Sequence, residues 1–174
     1  MSKLLGFPEQ VNETSARLVA GGVAAMAVTA AVADQPWLMF PLAYGFASRV
    51  ACGPKLSPLG LLATRVATPR LSVDHRFSPG PPKRFAQAIG LAVSLTALVL
   101  HYRRGKPGQA KLALGALGVA AGLEAGLGLC LGCKMFALGV KVGLAPQDLC
   151  EECSNIWSRE PSPEVYPSKQ LTFN

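Results

Sequence analysis

The sequence predicts an all-α membrane protein with four transmembrane helices arranged as two hairpins. Three observations carry this. Half of the 174 residues are hydrophobic and only 16% are charged, against about 25% charged in soluble domains. The apolar residues gather in four runs with little amphipathic alternation, which argues against a soluble helical bundle. The chain also holds 18 glycines among many alanines, and small residues let membrane helices approach closely.

The elements follow in order. The first seventeen residues have no basic cluster leading into an apolar core and no small-residue cleavage site, so no removable signal is expected. Asn12-Glu13-Thr14 matches a glycosylation sequon, and Asn12 serves equally as a helix cap. The first apolar run covers residues 18–33, and Asp34-Gln35-Pro36 turns the chain into a second run, 37–51. Pro41 lies inside that run and predicts a kink. A link rich in proline and glycine follows, in which "LGLLATRVA" suits a short amphipathic helix at the interface. His75 falls in this link, where solvation explains it better than metal binding. The third run is 85–100, with Gln87 as a polar contact between helices. The basic loop "HYRRGKPGQAK", which contains His101, leads to the fourth run, from 112 to about 144. Several runs are short for a span of roughly 17–25 residues, so Arg17, Arg49 and Arg84 are expected to complete them by snorkelling. Residues 1–144 thus form the transmembrane domain, and 145–174 form a polar tail.

A weak repeat is visible. "RLVAGGVAAMAVTAAVA" from Arg17 aligns with "RFAQAIGLAVSLTALVL" from Arg84, which sets Cys52 opposite Cys130. The net charge of +7 is concentrated in the central link and third loop. Because these residues flank apolar runs, the expected partner is the lipid bilayer and its headgroups, not nucleic acid. The link carries the largest basic excess, which places it and both termini in the cytoplasm, with the protein integral to a plasma membrane. All five thiols then fall at one membrane face.

Four of those thiols form two Cys-x-x-Cys pairs, Cys130/Cys133 and Cys150/Cys153, separated by sixteen residues. This spacing suits a four-thiolate metal site, zinc before iron–sulfur. The first pair reads as a late part of the fourth membrane helix, and the tail is long enough to fold the second pair back onto it. A thiol–disulfide relay fits as well, with Lys134 favouring a thiolate at Cys133. Static disulfides are disfavoured on a cytoplasmic face. Simple packing of small apolar thiols remains open. Glu124 stands inside the fourth run, where an ionisable group is costly and is a candidate proton carrier or a partner of Arg17, Arg49 or Arg84. No catalytic constellation or nucleotide-binding loop is present, so an enzymatic role is not favoured.

The stretches "GPKLSPLGLLATRVATPRL", "PPKRFAQAIGL" and "GLCLGCKMF" together resemble the bacterial integral-membrane family catalogued as domain of unknown function 4395, over roughly residues 13–145. The pieces carrying the resemblance are Cys130, Gly132, Cys133 and Lys134, supported by Ser57-Pro58-Leu59-Gly60 and Pro69-Arg70-Leu71. The resemblance implies a small multi-span protein of a bacterial membrane, without an assigned activity, associated with sulfurtransferase and thioredoxin-like proteins. Three functions follow as expectations. The first is an accessory role in thiol or sulfur redox chemistry through the cysteines. The second is a membrane scaffold or complex subunit with a structural four-cysteine site. The third is a small-molecule or ion carrier working through Glu124.

Overall fold

The computed structural model describes residues 10–53, 56–67 and 77–143. The tail with Cys150 and Cys153, His75, and Pro69-Arg70-Leu71 lie outside these residues. The described chain is all-α apart from one short antiparallel ribbon, β1 (Gln10–Asn12) with β2 (Phe77–Pro79), in which Val11 faces Ser78. Helix α1 runs Glu13–Val32 and is capped by Asn12, whose side chain accepts from the Ser15 N–H at 3.3 Å. That bond satisfies one of the orphan donors of the first turn. A 3-10 turn, Pro36–Leu38, leads into α2, Met39–Cys52. Pro41 therefore sits in the first turn of α2, where its missing N–H costs no helical bond, and the expected kink does not arise. Helix α3, Pro58–Leu61, is capped by Ser57 and continues as a wider π turn through Leu62–Ala67. Helix α4 is Gly80–Leu98, extended by a π turn over Val99–Arg103 that holds His101 in helical, not loop, structure.

The fourth apolar run is not one helix. Helix α5 covers Pro107–Leu127 and α6 covers Leu131–Lys141. Gly128 breaks the run with φ 69°, a left-handed conformation that glycine adopts without steric cost. Cys130 then stands at the N-cap of α6. The first Cys-x-x-Cys pair is therefore at a helix beginning, not late in a membrane helix. Among the described residues three helices are long and apolar enough to cross a membrane, namely Glu13–Val32, Gly80–Arg103 and Pro107–Leu127.

Successive long helices run antiparallel, but the larger interfaces join the two halves of the chain. Helix α1 packs most extensively on α5, and α2 packs on α4. The α1–α5 seam is close because Gly118 leaves room for Val28 and Ala27. At the α2–α4 seam a side chain on Gly90 would collide with the Phe46 ring. The shared core is made of Val23, Ala27, Met39, Leu42, Ala97 and Leu114 with their neighbours.

The repeat seen in the sequence has a structural counterpart, in which α1–α2–α3 corresponds to α4–α5–α6. Arg17, at the start of α1, donates to the Ala125 and Gly126 carbonyls ending α5, at 3.1 and 2.6 Å. Arg84, at the start of α4, donates to the Val50 carbonyl near the end of α2, at 3.1 Å. Both are cations on orphan carbonyls at a helix C-terminus. Helix α2 ends at Gly53, whose N–H bonds the Arg49 carbonyl; α5 ends at Gly128, whose N–H bonds the Glu124 carbonyl. Arg49 and Glu124 are thus equivalent positions of opposite charge. The next helix begins at Ser57 in one half and Cys130 in the other, so Ser57, not Cys52, is the counterpart of Cys130.

Candidate functional site

The starts of α1, α4 and α6 and the ends of α2 and α5 meet at one end of the bundle. The ties are Arg17 to α5, Arg84 to α2, and Gly132 of α6 against Ala86 of α4, where an added Cβ would lie 2.6 Å from the Ala86 Cα. The tilted ring pair Phe85–Phe136 extends the α4–α6 contact at 5.6 Å. Most buried polar side chains among the described residues collect here, namely Glu13, Ser15, Ser48, Arg49, Ser57 and Lys83, while Ser94 lies farther along α4.

Glu124 pairs with Lys83. The Lys83 ammonium donates to Glu124 Oε1 at 2.6 Å, and the two side chains are 8% and 14% exposed. The three arginines expected as partners are engaged elsewhere. Arg17 and Arg84 hold carbonyls. Arg49 is buried and does not snorkel: its Nε donates to Gln87 Oε1 at 2.7 Å, its Nη1 donates to Ser57 Oγ at 3.1 Å, and its guanidinium lies 4.6 Å from the centre of the Phe46 ring. The planar fork suits this double engagement. Gln87 thereby joins α4 to α2, and Arg49 remains within electrostatic reach of Glu124. Lys83 escaped the sequence reading as a site residue. Its signal was its place in "PPKR", directly before a membrane-length apolar run, where it resembles a flanking headgroup contact.

Beside this ion pair lie Cys130 and Cys133, both reduced, the first buried and the second half-buried. The Cys133 thiol donates toward the Cys130 sulfur and holds the Cys130 thiol below its ordinary range, with burial opposing and the Lys83 charge assisting. The Cys133 backbone N–H also faces that sulfur but does not close a capping hydrogen bond. The positive end of the α6 dipole acts in the same direction. Cys133 is pushed up, first by its role as donor to Cys130 and then by burial. The thiolate is therefore favoured at Cys130, and the cation responsible is Lys83. Lys134, expected to favour a Cys133 thiolate, is solvent-exposed. Lys83, Arg49 and Glu124 together carry one net positive charge, and a Cys130 thiolate balances it.

A cleft of about 180 Å³ opens from this cluster along the α4–α5 surface. Phe46, Ile89, Val93 and Leu117 supply its apolar walls, and Gln87, Glu124 and Cys130 supply its polar end. Cys52 is buried at the end of α2, at the same end of the bundle. Among the described residues no group of three or more His, Cys, Asp or Glu side chains is arranged to hold a metal ion. The four-cysteine site would require Cys150 and Cys153, which are outside those residues.

These features define a class: an all-α protein built from a repeated helical unit, with membrane-length helices, a buried ion pair and a Cys-x-x-Cys at a helix start. A family model described as Domain of unknown function (DUF4395) matches residues 11–141. The chain belongs to that family. No curated protein and no solved structure matches it.

Proposed function

We propose that this protein is an integral membrane thiol–disulfide carrier in which Cys130 and Cys133 alternate between dithiol and disulfide. The observation that carries this reading is the placement of Cys130 at the N-cap of α6 with Cys133 one turn on, beside a buried lysine. In a Cys-x-x-Cys at a helix start, the stabilised thiolate is also the better leaving group. A partner thiolate attacks the half-buried Cys133 sulfur of the disulfide, and Cys130 departs as the thiolate that Lys83 and the helix dipole favour. A second partner thiolate then releases Cys133, so two partner thiols become one disulfide. A thioredoxin-like protein or a sulfurtransferase supplies such thiols.

The same reading places the chain in a bacterial plasma membrane with both termini cytoplasmic. The basic central link supports that orientation. Helix α2 makes the fourth crossing of the two-hairpin bundle. Its 14 residues with the 3-residue turn before it rise about 25 Å, close to the hydrocarbon thickness.

The test is a redox titration of the purified protein in glutathione buffers, with thiols counted by alkylation and mass. Cys130 and Cys133 are expected to titrate together as one two-electron couple, lost in both Cys130→Ser and Cys133→Ser, while Cys52 stays reduced. One tightly bound zinc per chain that shields Cys130, Cys133, Cys150 and Cys153 from alkylation refutes the carrier and establishes a structural metal site.

A further inference from the structure

A dithiol that closes to a disulfide releases two electrons and two protons, which need an acceptor. The cleft beside Cys130 has the features of that acceptor's site. It begins at Cys130, Glu124 and Gln87 and runs along α4 and α5 as far as Val93 and Ala116. From Glu124 to Ala116 the helix rises about 12 Å. Ala116 is exposed, and Ala120, Ile89 and Val93 are half-exposed, so the cleft opens on the outer face of two membrane-length helices. In a bilayer that face meets hydrocarbon, and a ligand reaches the sulfur from the lipid phase. An apolar cavity of about 150 Å³ admits a benzene molecule; at about 180 Å³ this cleft accommodates one substituted six-membered ring. The Gln87 oxygen accepts from Arg49, which leaves its amide N–H groups as the donors that a ring carbonyl requires.

We propose that the cleft binds a lipid-soluble quinone, which accepts the electrons of the Cys130–Cys133 dithiol. This rests on the dithiol reading above and names its electron acceptor. The step balances. Both S–H bonds break and the Cys130–Cys133 sulfur–sulfur bond forms. The quinone takes the two electrons and two protons and leaves as the hydroquinone. Cys130 lines the cleft and the half-buried Cys133 is not among its lining residues, so the ring and the partner thiol approach the pair from different sides.

The experiment uses the full chain, reduced, in phospholipid nanodiscs. The probe is a decyl-substituted benzoquinone with no unsubstituted ring carbon, which prevents direct thiol addition. A water-soluble aromatic disulfide serves as a second oxidant. The expected result is loss of quinone absorbance with two thiols consumed per quinone. Ala120→Phe, and independently Ala116→Phe, fill the cleft one turn apart; each is expected to slow the quinone reaction at least tenfold and leave oxidation by the soluble disulfide unchanged. If the soluble disulfide closes the Cys130–Cys133 bond but the quinone is not reduced, the quinone site is overturned and the dithiol carrier stands. The quinone site is likewise overturned, and the carrier kept, if both phenylalanine variants reduce the quinone at the wild-type rate. A bilayer acyl chain as the true occupant gives the first of these results. If neither oxidant forms the disulfide, the dithiol reading itself fails and the quinone site with it.

Discussion

Removing the Lys83 ammonium tests whether the buried ion pair organises the site. At 2.6 Å the Lys83–Glu124 attraction is about 6 kcal/mol at an effective dielectric constant of 20. Burial of two charged groups offsets most of that gain. Taking away one partner forfeits the attraction but leaves the other charge buried, which costs about 3–5 kcal/mol. Arg49 remains within reach of Glu124 and absorbs part of the deficit, so Lys83→Met is expected near the lower limit, about 3 kcal/mol. Lys83→Met with Glu124→Leu removes both charges and is expected to recover at least half of the loss. The assay is reversible unfolding in mixed micelles titrated with a denaturing detergent, followed by far-ultraviolet circular dichroism, on the wild type, both single variants and the double variant. A coupling energy below about 0.5 kcal/mol refutes the reasoning, because an uncoupled pair is a surface pair in energetic terms.

Three further outcomes are expected. Cys130 should react with methyl methanethiosulfonate with a midpoint below the ordinary thiol value of about 8.5; Cys133→Ala, which removes the hydrogen-bond donor, and Lys83→Met, which removes the cation, should each move that midpoint to higher pH, as read by rates across a pH series. Gly132→Ala forces α6 away from the Ala86 backbone and should destabilise by about 1–3 kcal/mol, with a larger accessibility of Cys130 to alkylation. Arg17→Met removes an exposed cation from the Ala125 and Gly126 carbonyls at the end of α5 and should cost about 0.3–1 kcal/mol in the same micellar unfolding assay.

The composition and apolar runs alone made the all-α class and the membrane-length helices legible, because a bilayer demands long stretches of hydrocarbon-compatible residues with internally satisfied backbones. The Arg17 and Arg84 alignment exposed the repeat, and the Asn12 cap was readable from local chemistry. The break before α6 was not legible. Cysteine is not a favoured capping residue, and Gly128 is one glycine among many in "GLEAGLGLCLGC". Only the left-handed turn at Gly128 moved Cys130 from the interior of a helix to its start. Partner choice was equally hidden. Several cations border the apolar runs, and the sequence does not rank Arg17, Arg49, Lys83 and Arg84 as partners of Glu124. Tertiary packing decided, because antiparallel α4 and α5 bring Lys83 level with Glu124 while Arg17 and Arg84 are drawn to helix-end carbonyls and Arg49 to Gln87 and Ser57. The sequence by itself determined that the chain carries membrane-length apolar helices and which residues were too costly to bury alone. The folded structure decided which of them share the burial, since that depends on the register between helices distant in the chain.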